Sequence, residues 1–142
     1  MKKKYLIVVA DYYKDIAKGL LDSALKLIPK SNIVKIVRVP GVFEIPVTIS
    51  KNVKRYDAFL ALGCVIKGQT PHFDFISHAS TNAIMDLSIL NKKPIGNGII
   101  TCLNMKQAKV RRKKGAEAVD AVNSVLLQKW KLISTQRTIQ EL

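Results

Sequence analysis

The chain has 142 residues, 48% hydrophobic and 24% charged, a length that fits one domain (residues 1–142) and a composition that excludes an intrinsically disordered chain. Its 24 Lys and Arg against 10 Asp and Glu give a formal charge of +14, which suits nucleic acid, an anionic small molecule, or merely a lysine-rich proteome. No apolar run reaches the roughly 18 residues of a membrane span, and the apolar stretch after MKKK is short and meets Asp11, so no membrane association, no signal peptide and a cytoplasmic location are expected.

The first apolar segment rich in β-branched residues, YLIVVA (5–10), predicts a strand. Ile16, Leu20, Ala24 and Leu27 then recur at spacings of four and three with Pro29 just beyond, which predicts an amphipathic helix and its stop. NIVKIVRV (32–39) predicts the second strand, and residues 44–55 a shorter helix that Pro46, Thr48 and Val53 weaken by propensity. AFLALGCVI (58–66) predicts the third strand, and Ile76, Ala79, Ala83, Ile84 and Leu87 form the face of the helix after it. PIGNGIIT (94–101) predicts the fourth, and Ala118, Val122, Val125 and Leu126 a last helix face. The basic run KVRRKK (109–114) reads as a solvated helix end, and the polar tail STQRTIQEL is expected to fray.

Strand and helix alternate four times. That order predicts an α/β fold, a three-layer α/β/α sandwich with a four-stranded parallel sheet, right-handed crossovers and strands mostly buried on both faces. In such sheets ligands bind beyond the carboxyl ends of the strands, so function is expected in residues 10–14, 39–44, 66–72 and 101 onward. Cys64 and Cys102 lack the paired spacing of a zinc site and are expected to be buried free thiols.

In KGQTPH (67–72), Gly68 is expected to take a conformation other residues resist, Thr70 to cap a helix and Pro71 to open it. Helix amides at that point, with the helix dipole, suit a phosphate, and His72 lies beside it. In RVPGVFEIP (38–46), Phe43 could hold a ring and Glu44 could accept hydroxyl hydrogen bonds, which suits a polyol.

VPGVFEIP and ALGCVIKGQTPHFDF together closely resemble the lumazine synthase family, whose members carry a PGAFEIP-like turn and a GxVIxGxTxH turn in this order and at this spacing; the likeness extends more loosely over nearly the whole chain. The resemblance implies a flavodoxin-like fold and a transferase of riboflavin biosynthesis. Such an enzyme condenses 5-amino-6-(D-ribitylamino)uracil with 3,4-dihydroxy-2-butanone 4-phosphate, releasing phosphate and water, without cofactor or metal. Its partners are therefore two small-molecule substrates, one phosphorylated, with no nucleic acid.

Carried over by position, Tyr12 matches an aromatic that stacks on the pyrimidine, Val42, Phe43 and Glu44 the turn that holds the ribityl chain, and Cys64, Val65 and Ile66 the strand end whose backbone reads the pyrimidine edge. Gln69 and Thr70 match the phosphate-binding pair, although Glu or Ala is frequent where Gln69 stands. His72 matches the proton-transfer histidine, and Arg111 an arginine that reaches phosphate across a subunit boundary. Arg112 and Lys113 remain ordinary surface charges, and Lys114 lies near the family's NKG-type segment. Asn97 stands where some members place phenylalanine against the pyrimidine, and Lys67 where arginine is frequent.

The resemblance also implies a homo-oligomer with active sites between subunits. The near-immediate first strand and the absence of a glycine-rich insert between Arg111 and Lys114 favour a homopentamer over a shell of twelve pentamers. Two rival readings fit the sequence less well. Nucleic-acid binding lacks the interleaved aromatic and basic residues that stack on bases, and a catalytically silent ligand binder sits poorly with intact His72, Arg111, Phe43 and Glu44.

Overall fold

A computed structural model describes residues 2–128; the tail STQRTIQEL lies outside them. In chain order the elements are β1 (Lys4–Ala10), α1 (Lys14–Leu27), β2 (Ile33–Val39), a 3-10 turn (Val42–Glu44), α2 (Ile45–Asn52), β3 (Ala58–Ile66), α3 (His72–Asn91), β4 (Ile95–Cys102), α4 (Met105–Val110) and α5 (Lys114–Leu126). The strands form one parallel sheet in the order β2-β1-β3-β4. Helices cover both faces, so the architecture is the expected three-layer, flavodoxin-like α/β/α sandwich.

One half of the core joins Ile7, Val9, Leu60 and Leu62 of the sheet to Ile16 and Leu20 of α1 and Val119 and Val122 of α5. The other joins Leu6, Val8, Phe59 and Ala61 to Ile45 and Ile49 of α2 and Ile84 of α3. Each large apolar side chain removed from water in this way contributes roughly 1.5–3 kcal/mol. Tyr5 is fully buried among them, and its hydroxyl donates to Asn123 Oδ1 at 2.7 Å, which ties β1 to α5 and satisfies the one polar atom it brings inside. Burial, and secondarily Asp57, push the Tyr5 pKa up.

Burial on both faces holds for β1 and β3 and fails for β2 and β4. These two are the sheet edges, so β2 leaves Lys35, Ile36 and Arg38 exposed and β4 alternates between buried and open positions. Leu27 and Val125 are exposed as well. Leu27 is the last residue of α1, and the extended Ile28 that follows it is buried instead.

Helix α4 lies outside the expected elements, although its signal is local. Gln107 donates its amide to Asn104 Oδ1 at 2.9 Å while its own side chain accepts from the Leu103 amide at 2.8 Å, a reciprocal cap that the spacing of Asn104 and Gln107 encodes. Gly68 also departs from expectation. No glycine among the described residues has positive φ, and a Cβ at Gly68 would meet nothing within 4 Å. The left-handed residue is Lys92 (φ 54°), which closes α3 by donating its amide to the Ile89 and Ser88 carbonyls.

Helices α1 and α5 cross where Gly115 lies against the Leu20 carbonyl, with no room for a side chain between the backbones. Gly115→Ala is therefore expected to lower stability by about 1–3 kcal/mol, measured by urea denaturation. Gly68→Ala is expected to stay within about 0.5 kcal/mol of the parent. Equal losses for the two variants would contradict this account of the crossing.

Candidate active site

The strand order reverses between β1 and β3: β2 lies to one side of β1, and β4 lies beyond β3. Connections leave the two central strands in opposite directions there, which opens a crevice at their carboxyl ends. The structure has a cavity of about 760 Å³ at that place, within the range of small-molecule sites. It gathers residues from four separate segments. Tyr12 comes from the end of β1, Val42, Phe43 and Glu44 from the 3-10 turn, Cys64, Val65 and Ile66 from the end of β3, and His72 from the first turn of α3.

Local sequence sets these positions. Gly63 leaves space in β3 for Val42 and Ala10, since a Cβ there would fall 2.8 Å from Val42 Cγ2 and 3.1 Å from Ala10 Cβ. The 3-10 turn can therefore lie on the strand end and present Phe43 and Glu44. The Glu44 amide donates to the Gly41 carbonyl at 3.2 Å and its carbonyl accepts from Thr48 Oγ1 at 2.8 Å. Pro71 occupies the cap of α3, so the helix begins at His72, one residue later than expected, and the His72 amide points toward Thr70 Oγ1 at 3.4 Å.

The rim is apolar and open. Tyr12 is 74% exposed, Phe43 64% and Phe75 67%, so three aromatic faces stand in solvent around one carboxylate and one imidazole. Isolated exposed apolar groups are ordinary, but three around one crevice mark a place for a ring or a partner.

Tyr13, Gly41, Phe75, Ile76 and Ala79 also line the cavity. Two of them had usable signals. Phe75 follows His72 by three residues on the same helix face. Tyr13 follows Tyr12 at a strand end, and the two rings meet edge-to-face with centroids 4.9 Å apart. Burial, then the neighbouring Cys64 and Tyr12, push the Tyr13 hydroxyl up from its ordinary pKa, so it remains a hydrogen-bond donor.

Gln69 and Thr70 are exposed on the turn before α3 and do not line the cavity. Asn97 pairs with Ala61, four residues before Val65 along the sheet, about 13 Å upstream of the cavity at strand rise. Its Oδ1 accepts from the Ile99 amide at 3.0 Å on the outermost strand. Arg111 faces a different basin of about 440 Å³, beyond β4, with Thr101, Lys113, Lys114 and Glu117. There its Nη1 donates to the Thr101 carbonyl at 3.2 Å and approaches Cys102 Sγ at 4.0 Å, while Lys114 and Glu117 form a 3.8 Å ion pair.

Cys64 and Cys102 are both free and buried. Burial, and then the adjacent Cys102, push the Cys64 thiol up to about 12. No group of three or more His, Cys, Asp or Glu among the described residues is arranged to hold a metal.

A profile of the family described as 6,7-dimethyl-8-ribityllumazine synthase matches residues 2–129. The chain is 39% identical over 132 residues to the 6,7-dimethyl-8-ribityllumazine synthase of Cutibacterium acnes, covering 87% of this chain and 80% of that one. It is 44% identical over 115 residues to the enzyme of the same name from Bartonella bacilliformis, covering 78% and 76%. Against 6,7-dimethyl-8-ribityllumazine synthase 1 of Rhodopseudomonas palustris it is 39% identical over 142 residues, covering 91% and 87%.

The elevated Cys64 pKa has a definite sign. Unfolded, the thiol ionises near its ordinary 9.0, while folded it stays protonated to about 12, so its contribution to stability is whole below about pH 9 and is lost as pH rises toward 12. Denaturant midpoints of the parent are expected to fall more steeply than those of Cys64→Ala over that window. Native Cys64 is expected to resist alkylation near pH 8. Parallel midpoint curves, or rapid native alkylation of Cys64, would contradict the shift.

Proposed function

The chain belongs to the 6,7-dimethyl-8-ribityllumazine synthase family and has its transferase activity in riboflavin biosynthesis, and from that premise we propose that the cavity at the ends of β1 and β3 is where the ribitylaminouracil binds. The observation that carries this is the meeting of Tyr12, the Val42–Glu44 turn, the Cys64–Ile66 strand end and His72 in one crevice. The chain acts as a single domain, 1–142, in the cytoplasm.

Tyr12 and Phe43 offer ring faces for the pyrimidine, and the Glu44 carboxylate accepts hydrogen bonds from the ribityl hydroxyls. The backbone of Cys64, Val65 and Ile66 pairs with the pyrimidine edge. The butanone phosphate lies toward the start of α3, where Gln69 and Thr70 and the first helix amides receive its phosphate. His72 stands between the two, at the point where the amine meets the ketone. Imine formation, loss of phosphate and ring closure each move a proton, and an imidazole can take and return it. Holding both substrates in one crevice supplies much of the remaining acceleration. Asn97 contributes to pyrimidine binding in a neighbouring copy through its amide.

Arg111 belongs to this site through a second copy of the chain. It lies beyond β4 in its own subunit and is presented outward by Thr101 and Cys102, a geometry that supports a guanidinium offered to a neighbour's phosphate. Helix α3 supports self-association, since only Ser80 and Ile84 are buried along its 20 residues while Phe75, Met85, Ile89 and Leu90 are exposed. The assembly is a homopentamer.

Turnover of the two substrates is expected to release lumazine and phosphate together, followed by fluorescence and phosphate assay. His72→Ala is expected to slow the single-turnover rate by roughly 10²- to 10⁴-fold without abolishing it. An unchanged rate would remove His72 from the chemistry.

Subunit mixing tests the shared site. Chains carrying His72→Ala and chains carrying Arg111→Ala, each nearly inactive, are expected to regain part of the parent rate when unfolded and reassembled together, because some interfaces then hold an intact His72 opposite an intact Arg111. No recovery in particles shown by light scattering to be mixed pentamers would place both residues in one subunit's site, and a shell-sized particle would overturn the pentamer.

A further inference from the structure

On the outer side of the molecule, where α1 passes the α4–α5 connection, a groove of about 420 Å³ is lined by Asp22, Ser23, Lys26, Lys109, Arg112 and Lys113 among others. We propose that this groove binds a small polyvalent phosphate anion of the pyrophosphate or tripolyphosphate class, at a site separate from the cavity at the strand ends.

Charge is the first ground. Among the described residues the salt bridges are Lys18–Asp22 and Lys114–Glu117, so the groove's carboxylate is already taken by Lys18 at 2.8 Å. Lys26, Lys109, Arg112 and Lys113 therefore share one groove without a carboxylate partner. A single negative charge leaves most of that repulsion in place, whereas an anion with three or more charges relieves it.

The second ground is that Arg112 is fixed in advance. Its Nε donates to the Lys109 carbonyl at 2.9 Å, and its own carbonyl accepts from Ser23 Oγ at 3.2 Å. Its methylenes lie on Gly19, where a Cβ would fall 2.6 Å from Arg112 Cδ and 2.9 Å from its Cβ and Cγ. With the stem and Nε held, the terminal amino groups remain to meet two oxygens side by side, the geometry by which arginine takes phosphate. The amino end of α5, 13 residues long, opens beside it and adds partial positive charge.

The third ground concerns what the ligand lacks. No aromatic side chain lines the groove, so nothing is present to stack on a nucleobase. Recognition falls on the phosphate chain alone.

Calorimetric titration of the assembled full-length protein at constant ionic strength, with orthophosphate, pyrophosphate, tripolyphosphate and ATP, tests the proposal. Tripolyphosphate is expected to saturate at one per chain and to bind roughly tenfold or more tighter than orthophosphate, with ATP no tighter than tripolyphosphate. Lys26→Gln/Lys109→Gln is expected to weaken it roughly tenfold or more with turnover unchanged, Lys26→Arg/Lys109→Arg to retain it, and Arg111→Ala to leave it intact. Absence of saturable binding, full retention in Lys26→Gln/Lys109→Gln, or loss in Arg111→Ala would overturn the proposal, the last by assigning the anion to the basin beside Thr101. ATP binding tenfold tighter than tripolyphosphate would overturn the restriction to a phosphate chain.

Discussion

β1 and β3 pair in parallel from Tyr5 with Ala58 to Val9 with Leu62, and all ten of these side chains are buried. Parallel strands need crossovers, and strands apolar on both faces need helices on both. Helix α1 therefore covers one side and α2 and α3 the other, with α5 returning beside α1. The reversal of strand order between β1 and β3 follows from placing the β1–β2 crossover on one face and the β2–β3 and β3–β4 crossovers on the other, and the crevice at their carboxyl ends follows from the reversal. The site is thus a by-product of covering the sheet centre, and its contents are whatever residues the sequence places at those two strand ends and the turns after them.

Small residues decide how closely the layers meet. Gly63 allows the 3-10 turn to reach the sheet, and Gly115 allows α5 to touch the backbone of α1. The first brings Phe43 and Glu44 to the cavity, and the second fixes the start of α5 and so the connection that carries Arg111 and Arg112. The cavity at the strand ends and the groove between α1 and the α4–α5 connection are in this way set by two close approaches.

Polar chemistry stays at the strand ends because the interior excludes it. Cys64 lines the cavity yet is held protonated by burial, so it presents a thiol there rather than a thiolate. One group of cations, Lys109, Arg111, Arg112 and Lys113, gathers outside, at the α4–α5 connection, where water can reach it. That segregation gives the +14 charge a local meaning that composition could not supply.

Periodicity and turn chemistry are local, and they alone determined the four strands, the main helices, the parallel α/β layout and the two motif turns with His72, Phe43 and Glu44. Strand ends were legible for the same reason. Contacts between distant segments were not, because they depend on how layers are stacked and which strand falls at an edge. Only the tertiary structure decided that Tyr13 and Phe75 join the cavity, that Asn97 and Arg111 lie away from it, that the edge strands β2 and β4 are only partly buried, and that Arg112 rests on Gly19. Each of those is set by packing across the sheet or between α1 and α5, where residues far apart in sequence meet and no local pattern carries the distance between them.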